Sequence, residues 1–526
     1  MELKGENPFK IRAFERAAAS VSGHSDLKER AKAGTLTDLP GIGKGIAEAL
    51  TDYLLKGESP LRNELRASLP EGLEALVDLP GLGPKKARHL IDELGVHSIG
   101  ELEYACRENR LVSLKGFGEK ATAKILESIA FYNANQGYRR LDEAERSSDA
   151  FLERFRNEIG KAVHIVETGA LRRKLETIQT LEFLVKLPKE PKAEAQLRST
   201  INNWVRDFKE APVRLHYSSE SRFGYEWAKT TGEVGHWKAL GQPEPFDAPT
   251  EAKFYEKFGL PWIAPEMRET GEEVAMARAG QLDPVLDWNG VRGIFHNHTV
   301  YSDGAATVEE MVLEAKRLGY HYIGISDHSQ SAFYARGLKT EDLAKQEKEI
   351  RKVQDKHPEI RIFWGIESDI LVDGSLDYEE KILKKFDFVV ASIHSRFQME
   401  KEAMTQRVLE AIRNPHTRFL GHMTGRILLG RKGFELETEK VIEEAARNRV
   451  AIEINAHPSR LDIDWRWGAT LRKYSTHVSI NPDAHEVAGI ANTIFGVAMA
   501  RKALLPQSLV VNSRSVKEIE RWLRRE

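Results

Sequence analysis

A single cysteine, Cys106, in 526 residues excludes an intrachain disulfide and any CxxC zinc site. That scarcity fits a reducing compartment, and a cytoplasmic protein is expected. No run approaches 18 apolar residues, and the opening MELKGENPFK lacks the apolar stretch of a secretory leader, so no membrane association is expected. Neither sign of charge is in surplus: 78 basic against 80 acidic residues leave a net −2. No global basic field advertises nucleic acid, and any DNA binding must rest on local devices. With 41% hydrophobic and 30% charged residues, the composition is that of a globular chain long enough for several cores.

Seven short apolar runs in the C-terminal half each stop at a polar residue able to bind a metal or a proton. GIFHNH ends in His296 and His298, YIGISDH in Asp327 and His328, IFWGIE in Glu367, FVVASIH in His394 and FLGH in His422. AIEIN ends in Asn455, and HVSINPDAH in Asp483 and His485. From Val291 onward these runs alternate with helical stretches such as TVEEMVLEAKRLG, which predicts a parallel barrel with the polar residues on one rim. Alternate residues of a strand face one side, so His296 and His298 can reach the same ion. Mixed imidazole and carboxylate donors suit Zn²⁺, Mn²⁺ or Fe²⁺ better than Mg²⁺ alone. Clustered cations of that kind lower the pKa of water and promote phosphoester hydrolysis. Arg426 in HMTGR and Arg460 in HPSRLD are candidate phosphate clamps, with Arg336 and Arg396 as further candidates. A structural role fits each single arginine as well. Asp327 is expected to orient a ligand imidazole. His321, His357, His416 and His477 read as structural, and His457 as a neighbour of the site.

The N-terminal quarter repeats one phrase three times: LPGIGKGIAEAL from Leu39, LPGLGPKKARHL from Leu79 and LKGFGEKATAKIL from Leu114. Each predicts two helices joined by a tight turn that presents backbone N–H groups at a helix N-terminus, a device that grips phosphate without reading bases. Gly41, Gly43 and Lys44, Gly81, Gly83 and Lys85, and Gly116, Gly118 and Lys120 are the candidate contacts. The alternative is that these glycines only close helix–helix turns. Between the repeats and the barrel, β-like runs occur at Val163–Thr168, Leu181–Leu187 and Val213–Tyr217.

The triple phrase resembles helix-hairpin-helix DNA-binding motifs. Together with ELKGENPFKIRAF, TGALRRKLETIQTLEFL and GLPWIAPEMRE, it resembles bacterial family X DNA polymerases that carry a C-terminal PHP phosphoesterase domain. The helix that precedes ELKGENPF in such proteins is absent here, which implies a shortened start. The resemblance implies three parts: helix-hairpin-helix at 1–140, an α+β polymerase-like palm and thumb at 141–280, and a distorted seven-stranded (β/α) PHP barrel at 288–526. It implies nine metal ligands, namely His296, His298, Asp303, His328, Glu367, His394, His422, Asp483 and His485, around two to three divalent ions with Glu367 bridging. It also implies a monomer that binds DNA with weak sequence preference and digests it 3′–5′, with abasic-site cleavage as a second activity.

The palm departs from that family. Its three carboxylate positions hold Thr180, Glu182 and Arg214, and the triphosphate turn reads Gly232-Glu233. Two-metal nucleotide transfer needs carboxylates that neutralise both ions, and an arginine puts positive charge where a cation should sit. An idle polymerase centre is therefore expected, with Arg172 and Arg173 retained for phosphate or as ordinary basic side chains. The alternatives are an active repair polymerase that uses other carboxylates such as Glu167, a small-molecule phosphatase, or a non-catalytic DNA-binding scaffold.

Overall fold

The computed structural model describes all residues except 2, 3, 5, 23, 25, 70–72, 109, 112, 113, 115, 283 and 284, so Glu2, Leu3 and Gly5 of the opening phrase lie outside it. The chain divides into two compact units, Met1–Gln136 and Gly137–Glu526. Among the described residues no helix is long and apolar enough to cross a membrane.

The first unit is helical, and the three repeated phrases fold alike. Gly41, Gly81 and Gly116 take left-handed backbone (φ +80°, +84° and +93°), which glycine adopts without strain. In each turn an apolar N–H closes back on the leucine that opens the phrase: Ile42 on Leu39, Leu82 on Leu79, Phe117 on Leu114. The helices Lys44–Lys56, Pro84–Leu94 and Glu119–Asn135 follow, and Gly43, Gly83 and Gly118 immediately before them offer no side chain to cap their N–H groups. Leu79, Leu82, Leu90, Leu102 and Phe117 belong to one core, and Leu36, Leu39 and Ile42 to a smaller one. Cys106 is buried in the helix Ile99–Arg107, and burial pushes its thiol up to about 11, out of reach of ordinary redox chemistry.

Among the described residues, all the strands lie in the second unit. Arg139–Arg140 (β1) pairs with Thr177–Ile178 (β3). Ile165–Thr168 (β2), Leu181–Lys186 (β4) and Val213–Ser218 (β5) form a sheet in which β4 is central, antiparallel to β2 and parallel to β5. Phe151, Phe155, Phe183 and Phe208 fill the space behind it. Seven further strands form one parallel sheet in sequence order: Gly293–Ile294 (β6), Tyr322–Ile325 (β7), Arg361–Asp369 (β8), Phe388–Ser392 (β9), Thr417–Leu420 (β10), Ala451–Asn455 (β11) and Val478–Asn481 (β12). A helix follows each strand, as the alternation of apolar runs and amphipathic stretches predicts. Asn512 closes the seam: its side-chain amide donates to Gly293 O and Ile480 O and accepts from Ile480 N. Phe295 N–H donates across the same seam to the Asn481 side chain.

Inside the barrel an aromatic plug of Phe295, Tyr322, Phe363, Phe388 and Phe419 packs on the C-terminal helix Val516–Leu523. Gly324 and Gly365 make room for it, since a Cβ at either would lie within 2.6 Å of the Phe388 ring. The central segment is fastened to the barrel wall by buried charge. Lys502, fully buried, binds Glu269 at 2.5 Å, and Glu176 accepts from Trp465 Nε1 and Arg466. Residues 141–280 and 288–526 are thus parts of one compact unit.

Candidate metal centre

The predicted barrel ligands lie near the C-terminal ends of their strands, with Asp303 farther out on the loop after β6, on the face where barrel active sites are built. Glu367, near the end of β8, is the hub. Its Oε1 lies 3.2 Å from His296 Nε2, 3.2 Å from His394 Nε2 and 3.0 Å from His422 Nε2. Its Oε2 lies 2.9 Å from His328 Nδ1 and 3.6 Å from His298 Nε2. Asp483 is 3.2 Å from His298 and 3.5 Å from His296. Asp303 is 3.6 Å from His328 and 3.4 Å from His485. The structure therefore brings all nine predicted side chains into one cluster. His298, Asp303, His328 and His485 could share one ion, His296, His298 and Glu367 a second, and His328, Glu367 and His394 a third. His296 Nε2, both nitrogens of His298 and Glu367 Oε2 are buried without a hydrogen bond. Orphaned polar atoms of that kind, all electron-pair donors, fit a cation. Asp483 takes a left-handed backbone (φ +52°), a strained conformation of the kind that clusters at functional sites.

The electrostatics divide the imidazoles. Burial opposes charge on His296, but Glu453, Glu367 and Asp483 overcome it and hold its pKa well above the ordinary value. Burial likewise opposes charge on His328, yet Glu367 and Asp303 raise it to about 10. His298 goes the other way: burial, with His485 and His328 nearby, pushes it down to about 3.

Two carboxylates that the strand-end pattern passed over set the ring orientations. His296 Nδ1–H donates to Glu453 Oε1 at 2.7 Å, and His394 Nδ1–H donates to Asp369 Oδ1 at 2.6 Å. Each fixes a tautomer that leaves Nε2 toward the centre. Glu453 also accepts from His422 N–H and from the amides of Asn455 and Asn481. The available signal was a glutamate inside AIEIN, since a charge on a strand covered on both faces must have a partner. Replacing Glu453 by alanine is expected to weaken metal retention about 10–100-fold. Titration of the metal-free protein with Zn²⁺ or Mn²⁺ checks this; unchanged affinity excludes the orienting role.

Asp327 does not orient an imidazole as expected. It accepts from Thr299 N–H and Oγ1–H, Ser302 N–H and Oγ–H, and Gln346 Nε2–H, and so fixes the loop that carries Asp303. Arg426 is engaged by Arg460 O, Leu461 O and Asp464, so its guanidinium shapes the loop of Arg460 and is not left for a phosphate. Arg460 does reach the centre, with Nε 3.4 Å from Asp483. His457 lies beside it, bonded to Ser459. His357 and His477 have structural partners in Glu309 and Arg514.

In the central sheet, Thr168, Glu182 and Arg214 stand in register on adjacent strands. Glu182 accepts from His216 Nε2–H at 2.7 Å and lies 3.7 Å from Arg214. Glu167, paired with Phe183, faces the other side of the sheet and binds Ser148, so it cannot join Glu182. Arg172 and Arg173 are not available to a phosphate. Arg172 forms a two-pronged pair with Glu251 and lies over the Trp227 ring, and Arg173 binds Glu269, Glu233 and Thr231 O.

Comparison with known proteins decides the family. Over the whole chain, and 97% of the relative, the sequence is 33% identical to the DNA polymerase/3′-5′ exonuclease PolX of Bacillus subtilis (strain 168). The chain belongs to the PolX family. A PHP domain model matches residues 295–457, a helix-hairpin-helix domain residues 1–59 and a SAM-like helix-hairpin-helix tandem residues 73–130. A probable phosphatase of Caldicellulosiruptor saccharolyticus is 30% identical over 43% of the chain and 92% of its own length. A solved histidinol phosphate phosphatase from Lactococcus lactis aligns with 40% of the chain and 93% of its own at 18% identity and a TM-score of 0.32, too low to argue from. The PolX membership agrees with the resemblance read from the hairpin phrases and the palm frame.

Proposed function

We propose that this PolX-family chain is a DNA-binding, metal-dependent phosphodiesterase that digests DNA from its 3′ end, with an idle polymerase centre. The observation that carries the reading is the cluster of nine imidazoles and carboxylates centred on Glu367, in which His296 Nε2, both nitrogens of His298 and Glu367 Oε2 are buried without a hydrogen bond. His296, His298, Asp303, His328, Glu367, His394, His422, Asp483 and His485 would hold two to three divalent ions; such ions supply Lewis acidity toward phosphoryl oxygen and lower the pKa of water. The chain's own residues do the rest. Glu453 and Asp369 keep two rings aimed, Asp327 holds the Asp303 loop, and Arg460 offers a guanidinium to a phosphate oxygen.

DNA is favoured as substrate by the three glycine turns. The second glycine of each, Gly43, Gly83 and Gly118, has negative φ, and a Cβ there would meet nothing within 4 Å. Neither conformation nor internal packing demands glycine at these three positions, whereas close approach of an external backbone does. Their uncapped N–H groups and the exposed Lys44, Lys85 and Lys120 suit phosphates. An idle polymerase centre is supported by the single carboxylate Glu182, neutralised by His216 and Arg214.

The deciding experiment is digestion of a 5′-labelled primer–template with Mn²⁺, with deoxynucleotides in a parallel lane. Shortening from the 3′ end, lost in His296→Ala/His298→Ala, with no extension, is the expected result. Templated extension supports an active polymerase instead, the reading that the Bacillus relative's name favours. Turnover of small phosphomonoesters with no cleavage of DNA supports the phosphatase reading, which the Caldicellulosiruptor relative favours.

A further inference from the structure

Outside the metal cluster, two loops at the mouth of the barrel carry groups that the fold does not use. Phe333, in the turn Phe333–Ala335 after β7, is 85% exposed, more than any other large hydrophobic side chain described. The loop beneath it is held firmly. Ser331 donates its hydroxyl to Asp369 Oδ2 and its N–H to Asp377, Leu338 N–H donates to His328 O, and Ala332 and Ala335 are buried. Phe333 is thus presented by a fixed loop whose root is a metal-ligand candidate. Three residues on, Arg336 is exposed in left-handed backbone (φ +56°), and Arg396, two residues past His394 on the loop after β9, is exposed at φ +57°. Neither guanidinium has a hydrogen bond or ion pair with any described residue. A single carboxylate joins the two loops, because Asp369 takes Ser331 on one oxygen and His394 on the other.

A lone exposed phenylalanine is ordinary on a protein surface. An exposed aromatic ring and two uncommitted guanidiniums on neighbouring rim loops of a phosphoester-cleaving centre are the combination that binds single-stranded nucleic acid: stacking for a base, charge for the backbone. We propose that Phe333 stacks on the base of the 3′-terminal nucleotide, and that Arg336 and Arg396 hold the phosphates upstream of the scissile bond. The inference rests on the reading of the chain as a nuclease and adds what distinguishes a DNA end from a small phosphate ester.

The test uses the full chain loaded with Mn²⁺ and two single-stranded oligonucleotides, alike except that one ends in thymidine and the other in an abasic tetrahydrofuran residue. The wild type is expected to favour the base-bearing end about tenfold in kcat/KM, a preference that Phe333→Ala removes and Phe333→Trp keeps. Independently of catalysis, fluorescence anisotropy in chelator is expected to show the salt dependence of oligonucleotide binding shallower by about 0.7 per arginine in Arg336→Ala and Arg396→Ala. A wild type that cleaves both ends equally, or a Phe333→Ala variant that keeps the preference, overturns the rim. A wild type that cleaves neither end overturns the nuclease reading itself.

Discussion

Glu367→Gln is expected to lower DNA hydrolysis about 10³-fold, which corresponds to about 4 kcal/mol of lost transition-state stabilisation. No other side chain in the cluster is approached by so many: five imidazole nitrogens lie 2.9–3.6 Å from its two oxygens. Glutamine keeps the volume but loses the charge, and turns an N–H₂ group toward rings that need an anion or share a cation. The pKa of Glu367 is held well below the ordinary range because His394, His296 and His328 together outweigh burial, so the carboxylate is ionised at any working pH. The measurement is paired: metal ions per chain by elemental analysis and cleavage rate on the same preparation, with circular dichroism to confirm folding. Full metal content together with more than a tenth of wild-type activity would sink the bridging role.

The second large effect concerns stability. Glu251→Ala is expected to destabilise the 137–526 unit by about 3–5 kcal/mol, because it strands two buried guanidiniums. Arg268, fully buried, binds both oxygens of Glu251, and Arg172 binds the same two oxygens from the other side. Burial opposes the charge of Glu251, but the two arginines lower its pKa from 4.5 to about 2. A depressed carboxylate contributes stability that is complete above its unfolded pKa and is lost as pH falls through the folded one. The melting temperature of the wild type is therefore expected to fall between pH 4.5 and pH 2 with a component that Glu251→Gln lacks. Equal acid sensitivity in the two proteins would contradict this.

The barrel was legible in the sequence because its signals are local. Each strand is a run of a few apolar residues, and all the ligands but Asp303 stand within a few positions of a strand's end, as with Phe388–Ser392 and His394. The glycine turns were legible for the same reason. What stayed hidden depends on distance along the chain. Arg172 and Arg173 read as phosphate contacts because nothing nearby shows that Glu251 and Glu269, 79 and 96 residues on, will close over them. Arg426 resembled a clamp until Asp464 and the carbonyls of Arg460 and Leu461 surrounded it. Glu453 was visible only as an oddity, an acid amid Ala451, Ile452 and Ile454; that it faces His296, 157 residues away, is a fact of barrel closure. The replacement of two palm carboxylates by Thr180 and Arg214 was legible, whereas the side-by-side placement of Glu182 and Arg214 comes from the cross-strand register.

The fastening of Lys502 to Glu269, and of Trp465 and Arg466 to Glu176, bears on how such a chain can change over time. A segment that contributes no ligand to a neighbouring metal cluster is ordinarily free to be deleted. Here its removal would leave Lys502 as a cation inside an apolar wall with no counter-charge, and breaking such a pair costs several kcal/mol. Substitutions at palm positions such as Thr180 and Arg214 touch none of these contacts, whereas excision of the segment removes them all. The central region can therefore drift in sequence while its presence stays obligatory, because it is the barrel's flank.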